Sequence, residues 1–490
     1  MVDLGRRTAR GGAIATVAQI VRILAQLAIA ALMARLLAPK DFGLVAMAAT
    51  VTGFVGIFTD LGLSAATVQQ KEIDQATVTA LFYINLAMGV ALTLVCLAAA
   101  PIAAWFFGDR RLLWLTMATG LSIPISAAGA QHGALLQRGM RWMEMQWTPI
   151  LAQLAGGIVG ALLAWKGGFG YWALVVQAWV GAVVSTALLW YFARWRPDFT
   201  PHWRHARSAL HFGLNLTGFS FINYFHRQFD NVLVGWRWGA TSLGYYNNAY
   251  SLLTLPLTLI SSPMASAVVP ALSRLQHDPE RWNRAFLRAF GALNLISAGL
   301  TTMLIVSAEP LVRIVYGAQW HESGKIFALL AISMFAATPV NATGWIYISL
   351  GQTNRMLRWS MIVTPFYIAA FFVGLPFGPR GVAICYSIVM CLACAPYLAY
   401  ATAHSPTTFG SVLKVSAPPA FVGASIVLSE TLFHWIPVSS YSFIQIVENS
   451  LCVGCIYVLA VSIYLTWVKS MAPVKNDFLA SIMNTYNQNT

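Results

Sequence analysis

Stretches of apolar sequence, each long enough to cross a bilayer, follow one another from Gly12 to Trp467 with only short connections between them. A helix that spans the hydrocarbon core, which is roughly 30 Å thick, needs about 20 predominantly apolar residues. Inside hydrocarbon every backbone N–H and C=O needs a partner within the protein, and an α-helix satisfies these groups within one segment. The pattern therefore predicts an all-α integral membrane protein.

The composition agrees with that prediction. Hydrophobic residues make up 58% and charged residues 9% of the 490 residues, which leaves too little polar surface to coat a soluble protein of this size. The net charge of +14 is compatible with a nucleic-acid-binding protein, but the Lys and Arg residues lie between apolar segments and do not cluster. We expect no nucleic-acid partner.

The hydrophobic pattern predicts about fourteen transmembrane helices. Their approximate bounds are 12–36, 42–66, 78–106, 112–136, 147–165, 171–193, 209–235, 243–269, 285–307, 324–350, 357–376, 381–403, 412–433 and 443–467. An even number of helices places both termini on one side of the membrane. The connections on that side carry more than twice as many Lys and Arg residues as those on the other, so the positive-inside rule makes both termini cytoplasmic.

Two segments of the sequence form an internal repeat. Residues 36–43 open the second predicted helix and align without gaps with residues 237–244, which open the eighth, so that Gly43 corresponds to Gly244. Six helices per half give both halves the same orientation, related by a pseudo-two-fold axis along the membrane normal. We expect an N-terminal lobe at 1–200, a C-terminal lobe at 201–405, two additional helices at 406–470 and a cytoplasmic tail at 471–490.

The repeat segments also resemble a known family. The sequences ARLLAPKDFG at 34–43 and TDLGL at 59–63, with FDNVLVG at 229–235, LGYYN at 243–247 and PALSR at 270–274, are similar to signatures of Wzx-type polysaccharide exporters. The colanic-acid-exporter-like branch is the most similar. These proteins belong to the multidrug/oligosaccharidyl-lipid/polysaccharide exporter superfamily.

This resemblance implies a flippase of the bacterial inner (plasma) membrane with two six-helix lobes. It would move a polyprenyl (undecaprenyl) diphosphate-linked oligosaccharide from the cytoplasmic to the periplasmic leaflet by alternating access, for surface polysaccharide biosynthesis. Neither a cofactor nor enzymatic activity is implied. The expected partners are the lipid-linked oligosaccharide and membrane lipids, and a polysaccharide polymerase and chain-length or export proteins are further candidates.

Polar residues inside apolar segments are the candidate site residues, because a charge in hydrocarbon is costly unless it faces a cavity or a partner. Arg22 lies in the first predicted helix with Gln19 three positions before it and Gln26 four positions after it. The three residues form a polar stripe on one helix face, which favours a cavity-lining role. The alternative is a buried arginine that binds carbonyl groups of neighbouring helices.

The seventh predicted helix is more polar still. Its polar residues recur at steps of three and four positions, and they are Asn215, Asn223, His226, Arg227, Asp230 and Asn231. Arg227 and Asp230 are spaced to form a self-neutralised salt bridge. Alternatively Arg227 binds phosphate while Asp230 and His226 exchange a proton. Both alternatives stay open from the sequence.

A planar guanidinium donates two parallel hydrogen bonds to phosphate oxygens and stays charged at any working pH. One arginine from each lobe, Arg22 and Arg227, could therefore bind the diphosphate of the lipid-linked sugar, and Gln19, Gln26, Asn223 and Asn231 would line the same cavity. Aromatic and amide groups suit sugars, and the candidates are Tyr224, Tyr246, Asn248 and Tyr250. An interfacial aromatic belt explains these tyrosines equally well.

Asp60, near the end of the second predicted helix, is a third coupling or gating candidate beside His226 and Asp230. A structural role at the helix end is the alternative for Asp60. Two C-x-x-C pairs, Cys391/Cys394 and Cys452/Cys455, lie within predicted helices, in which Glu448 is the only His, Asp or Glu residue. We therefore expect no metal site and no catalytic residues.

Two other functions fit the same membrane location. A drug or small-molecule antiporter of the superfamily would need an acidic cation site in place of paired arginines. A membrane polysaccharide polymerase or glycosyltransferase would need an exposed catalytic loop, whereas the predicted external loops are short and no D-x-D motif occurs. The chain also lacks a G-x-x-x-x-G-K-[S/T] phosphate-binding loop, which argues against ATP hydrolysis.

Overall fold

The structure is a computed structural model that describes residues 2–60, 62–69, 73–198, 203–433 and 443–467. Within these ranges, the side chains of residues 2–17, 69, 203–223, 225–227, 443–447 and 463–467 lie outside the description. All regular elements of the described ranges are helical, which confirms the predicted all-α fold.

The helices follow one another with short connections. They are α1 (Val2–Leu36), α2 (Pro39–Gly56), α3 (Leu63–Gln69), α4 (Gln75–Phe107), α5 (Arg111–Gly120), α6 (Ser122–Arg138), α7 (Trp142–Trp165), α8 (Trp172–Ala193), α9 (Trp203–Arg274), α10 (Pro279–Val306), α11 (Ala308–Tyr316), α12 (His321–Ile332), α13 (Met334–Ser349), α14 (Thr353–Gly374), α15 (Gly378–Thr402), α16 (Phe409–Phe433) and α17 (Phe443–Trp467). Two short 3₁₀ helices, Ala318–Trp320 and Leu375–Phe377, stand before α12 and α15.

Several of these helices are long and apolar enough to cross a membrane. Over the described ranges there are 9 such helices, and a bent pair that meets at 52°, Ala318–Ile332 with Met334–Ser349, makes up to 10. Two of the 9 are far longer than one crossing needs, at 47 residues (Gln228–Arg274) and 50 residues (Thr353–Thr402). A multi-pass membrane protein is thereby confirmed, and the number fourteen stays a prediction.

Local chemistry explains where the helices begin and end. Proline suits the first helical position because its missing N–H would have no partner there, and α2 begins at Pro39 with the Asp41 carboxylate accepting a hydrogen bond from the Ala38 N–H at 3.1 Å. The Asp74 side chain caps α4 by accepting from the Thr77 N–H at 3.3 Å. At the other end of α4, Gly108 adopts φ 70°, a common way to end a helix.

Two elements differ from the sequence pattern in an informative way. The long helix α9 is broken at Gly239, where φ is 77° and ψ is 179°, so the break falls between the seventh and eighth predicted helices. The amphipathic helix α11 occupies what the pattern predicts as a connection between the ninth and tenth. It escaped the prediction because it is 9 residues long and carries Glu309 and Arg313.

The chain divides into two compact units. The first consists of Met1–Asn248, Tyr316–Trp320 and Phe371–Val382, and the second of Ala249–Val315, His321–Ala370 and Ala383–Thr490. In the first unit, α7 packs on α1 and α8, and α4 packs on α5 and α6. The lobes expected at 1–200 and 201–405 stay a prediction.

The second unit is built around α10. This helix packs against α12, α13, α16 and α17, and its buried rings Trp282, Phe286 and Phe290 stack with centroids 5.2 and 5.3 Å apart. The two additional helices predicted at 406–470 are part of this packing. The Tyr457 hydroxyl on α17 donates a hydrogen bond to the Leu295 carbonyl oxygen at 2.9 Å.

Candidate functional site

Arg22 lies on α1 as the sequence pattern indicated. Its Nη2 donates a hydrogen bond to the Gln19 Oε1 at 2.5 Å. Both side chains are half-buried, and Gln26, one turn further on, is exposed. Because the partner is a neutral amide, the contact orients the guanidinium without neutralising its charge.

Arg227, the partner arginine of the predicted diphosphate clamp, lies on α9. The side chains of Asn223, His226 and Arg227 lie outside the described residues. The clamp and the alternative Arg227–Asp230 salt bridge both stay predictions.

Asp230 lies on α9, and 4% of the residue's surface is exposed. Its carboxylate accepts hydrogen bonds from the Tyr246 hydroxyl at 2.8 Å and from the Asn231 backbone N–H at 2.8 Å. The Asn231 side-chain amide in turn donates to the Gln228 Oε1 at 2.8 Å. Since Tyr246 follows the break at Gly239, this buried network joins the two halves of α9.

Two of the three tyrosines predicted to contact sugar use their hydroxyls within the protein. The Tyr224 hydroxyl donates to the Thr50 carbonyl oxygen at 2.6 Å, and Tyr246, which is fully buried, donates to Asp230. In this structure Tyr246 therefore offers no surface to a sugar, whereas the Tyr224 side chain is partly exposed. The other two sugar-contact candidates are Asn248 and Tyr250. Asn248 is buried, and its Nδ2 has no hydrogen-bond partner in the described part of the chain. Tyr250 is half-buried and belongs to the second unit.

Tyr224 also lines a cleft of about 310 Å³ in the first unit. The walls come from α2, α4 and α9, and the lining residues are Thr50, Val51, Phe54, Ala99, Ile102, Ala103, Phe106, Phe107, Tyr224, Gln228, Phe229 and Val232. The Thr50 hydroxyl donates to the Met47 carbonyl oxygen at 2.7 Å, and the Gln228 Oε1 accepts from Asn231. With these polar groups already bonded, the cleft suits hydrocarbon better than sugar.

Asp60 has a clear structural role. Its carboxylate accepts hydrogen bonds from the Ser64 hydroxyl at 2.6 Å and the Ser64 N–H at 3.2 Å, which caps the start of α3. It also accepts from the Asn85 Nδ2 of α4 at 3.4 Å. A gating role for Asp60 stays a prediction.

Three buried neutral polar residues in the first unit were missed in the sequence analysis. Asn85, Gln131 and His132 are fully buried in α4 and α6. The Gln131 Oε1 accepts from the Thr67 hydroxyl at 2.7 Å, and His132 stacks on Trp190 with ring centroids 4.3 Å apart. The free-energy cost of burying a polar group, which singled out Arg22, applies to amides and imidazoles too. Asn85, Gln131 and His132 would have been found by the same argument.

The two segments of the internal repeat contact each other directly. A Cβ atom built on Gly43 would overlap the carbonyl oxygen of Ala240, and one built on Gly244 would overlap the carbonyl oxygen of Pro39. Pro39 corresponds to Ala240 in the repeat, just as Gly43 corresponds to Gly244. The two contacts therefore exchange under the alignment of the repeat, as a local two-fold rotation would produce, and the repeat of two six-helix halves stays a prediction.

The profile of a family of polysaccharide biosynthesis proteins matches residues 32–325, a range that includes both copies of the repeat. The chain belongs to this family. The family assignment agrees with the resemblance to polysaccharide exporters found in the sequence.

Three relatives of the chain carry names from polysaccharide biosynthesis. The succinoglycan biosynthesis transport protein ExoT of Rhizobium meliloti is 27% identical over 68% of this chain and 67% of the relative. The lipopolysaccharide biosynthesis protein WzxC of Escherichia coli is 23% identical over 75% and 74%. The teichuronic acid biosynthesis protein TuaB of Bacillus subtilis is 24% identical over 67% and 68%.

Solved structures of transporters share the fold of this family member. The lipid II flippase MurJ in an inward closed conformation matches with a TM-score of 0.74 at 16% identity, over 92% of this chain and 98% of that one. An inward-facing multidrug resistance transporter of the MATE family matches with a TM-score of 0.57 at 15% identity, over 82% and 99%. Both structures are of multi-span membrane transporters, which agrees with the predicted fold.

Proposed function

We propose that the protein is a flippase that moves a polyprenyl-diphosphate-linked oligosaccharide from the cytoplasmic to the periplasmic leaflet of the bacterial inner membrane, for surface polysaccharide biosynthesis. The observation that carries this proposal is the family match over both copies of the repeat, in a fold similar to that of a lipid II flippase. The protein acts as a transporter and not as an enzyme. Both termini are cytoplasmic.

Arg22 and Arg227 bind the diphosphate in this proposal, while the sugars occupy an aqueous cavity and the polyprenyl chain stays in lipid. The Arg22–Gln19 hydrogen bond supports the role of Arg22, because it holds a charged guanidinium in place within the membrane span. Arginine suits a diphosphate because its planar fork matches two phosphate oxygens.

The membrane potential favours this direction of transport. Carrying about two negative charges outward across an inside-negative membrane releases about 2.3 kcal/mol per charge per 100 mV. A proton or sodium ion remains a second possible driving force, with Asp60, His226 and Asp230 as the coupling candidates. A polysaccharide polymerase and chain-length or export proteins would act on the product.

Deletion of the gene tests the proposal through the pools of undecaprenyl-diphosphate-linked oligosaccharide in each leaflet. We expect complete repeat units to accumulate on the cytoplasmic side, and a plasmid-borne parent gene to restore their export. Single units that reach the outer leaflet unpolymerised would point to a polymerase or ligase instead. Unchanged pools would contradict the flippase and favour a small-molecule antiporter.

A further inference from the structure

We propose that the start of α14 binds the phosphate headgroup of an anionic phospholipid through Arg355, and that the acyl chains of this lipid lie along the same face of the helix. All the residues of this lipid site belong to the second unit. The lipid is a resident of the membrane and not the transported molecule, so the proposal does not rest on the transport function.

The face of α14 that carries Arg355 changes in character along the helix. Positions 355, 359, 362 and 366 follow one another at steps of four, three and four residues, so their side chains share one face. In that order they are a cation, an indole and two apolar side chains, Ile362 and Phe366, whose exposed fractions are 51% and 63%. A phospholipid presents a charged phosphate, polar esters and hydrocarbon chains in the same order. The face therefore matches a whole lipid better than a free inorganic anion.

Arg355 is held in place by neutral groups. Its Nη1 donates a hydrogen bond to the Gln352 Oε1 at 2.8 Å, and its Nη2 donates to the Tyr400 carbonyl oxygen at 2.7 Å. The guanidinium carbon lies 4.7 Å from the centre of the Tyr400 ring. In the described part of the chain, no Asp or Glu forms an ion pair with Arg355. The half-buried guanidinium thus keeps its charge and further N–H donors for an anion.

Aromatic rings surround Arg355 at the level where a lipid headgroup would lie. The Trp359 ring stacks on the Tyr400 ring with centroids 4.6 Å apart, and Tyr397 meets Trp359 edge to face at 5.3 Å. Trp and Tyr concentrate where the hydrocarbon of a membrane meets its headgroups. The Trp359 Nε1 has no acceptor in the described ranges, and a phosphate or ester oxygen beside Arg355 would supply one.

The surrounding charges favour an anionic lipid over a zwitterionic one. The starts of α10, α14 and α16 lie close together, because Trp282, Met356 and Val412 belong to one packed cluster. Each of these helices carries an exposed cation at its sixth residue. The cations are Arg284, Arg358 and Lys414. Clustered Lys and Arg side chains at a membrane surface attract anionic headgroups.

Native mass spectrometry of the purified full chain tests the proposal. The protein in detergent is titrated with phosphatidylglycerol, which is anionic, or with phosphatidylcholine of the same chain length, which is zwitterionic. We expect the first phosphatidylglycerol to bind the parent about tenfold more tightly than the first phosphatidylcholine. Arg355→Gln should remove this preference, since it removes the charge but keeps an amide that can donate to the Tyr400 carbonyl oxygen. A tenfold loss of affinity corresponds to about 1.4 kcal/mol.

The matched control is Arg110→Gln, which makes the same change of charge at an exposed arginine of the first unit. It should leave both affinities at the parent values. Trp359→Phe keeps an aromatic ring and the arginine but removes the N–H donor, so it answers the question if Arg355→Gln does not fold. We expect it to weaken phosphatidylglycerol binding by a smaller factor than Arg355→Gln.

A thermal unfolding series separates the lipid from free phosphate. Short-chain phosphatidylglycerol should raise the unfolding midpoint of the parent but not of Arg355→Gln, and inorganic phosphate at the same concentration should leave both midpoints unchanged. Equal stabilisation by inorganic phosphate would overturn the assignment to a lipid.

Two results would overturn the lipid site itself. One is an equal affinity of the parent for both lipids, and the other is an unchanged preference for phosphatidylglycerol in Trp359→Phe and a folded Arg355→Gln. Neither result bears on export, which the gene deletion tests separately.

Discussion

At the scale of single residues, Arg22 is the best-supported member of the proposed binding site. It lies inside a membrane span, where an uncompensated charge costs several kcal/mol. Its described partner is the neutral Gln19 side chain. This hydrogen bond leaves the charge of the guanidinium unneutralised, as a diphosphate site requires.

Replacement of Arg22 tests this role. Arg22→Ala should abolish export while membrane insertion stays normal, because the diphosphate loses a charged, bidentate partner. Arg22→Lys should restore export in part, since lysine keeps the charge and lacks the planar fork. The measurement is the amount of surface polysaccharide per unit of protein in the membrane fraction.

Arg110→Ala serves as the control, because Arg110 is an exposed arginine in the connection between α4 and α5. Export at the parent level in Arg22→Ala would remove Arg22 from the site.

The buried Asp230 makes a second prediction at this scale. Tyr246→Phe removes the hydroxyl that donates to the Asp230 carboxylate and leaves a buried acceptor without that partner. We expect a loss of about 1–3 kcal/mol in stability, visible as a lower thermal unfolding midpoint of the purified protein in detergent.

Tyr191→Phe is the matched control, because Tyr191 is 68% exposed. Equal midpoints for Tyr246→Phe, Tyr191→Phe and the parent would show that the bond contributes nothing to stability.

The sequence identified some of these residues and missed others for physical reasons. Arg22 and Asp230 were found because charges in apolar segments are conspicuous. Gln131 and His132 were missed because the predicted helix at 112–136 contains no Asp, Glu, Lys or Arg that would have drawn attention to its polar residues. That the Tyr224 hydroxyl is bonded to Thr50 could not be predicted, since the bond joins residues 174 positions apart and depends on how α2 and α9 pack.

At the scale of elements, hydropathy predicts where helices lie and misses elements that are short or polar. The predicted helices at 209–235 and 243–269 correspond to the two halves of α9, and the break between them falls at Gly239. The short helix α11 was missed because a window of membrane-spanning length averages out its amphipathic pattern. The φ and ψ angles of Gly239 lie in a region of backbone conformation that is essentially restricted to glycine.

Gly239→Ala tests the importance of that break. An L side chain at φ 77° and ψ 179° is strained, and we expect a cost of about 1–3 kcal/mol. The purified variant should unfold at a lower temperature than the parent.

Gly344→Ala on α13 is the control, since its Cβ would meet nothing within 4 Å and alanine favours a helix over glycine by about 1 kcal/mol. A Gly239→Ala protein as stable as the parent would mean that the break does not need glycine.

At the scale of the whole molecule, the sequence predicted a multi-pass helical membrane protein of a polysaccharide exporter family, and the structure and relatives confirm both. It did not predict which segments join which compact unit. Residues 316–320 and 371–382 belong to the first unit, and nothing in their hydropathy distinguishes them from their neighbours. Hydropathy reports burial in lipid, whereas unit membership depends on contacts between distant segments.

Transport by the purified protein in liposomes is the most direct measurement of the central proposal. Liposomes would carry undecaprenyl-diphosphate-linked oligosaccharide in both leaflets, and a soluble glycosidase added outside would digest only the externally exposed glycan. With the parent protein, we expect the protected inner pool to become digestible over time, faster when an imposed potential favours movement of negative charge toward the glycosidase. Arg22→Ala liposomes should keep their inner pool. If the parent protein leaves the inner pool as protected as in protein-free liposomes, the protein is not a flippase for this lipid.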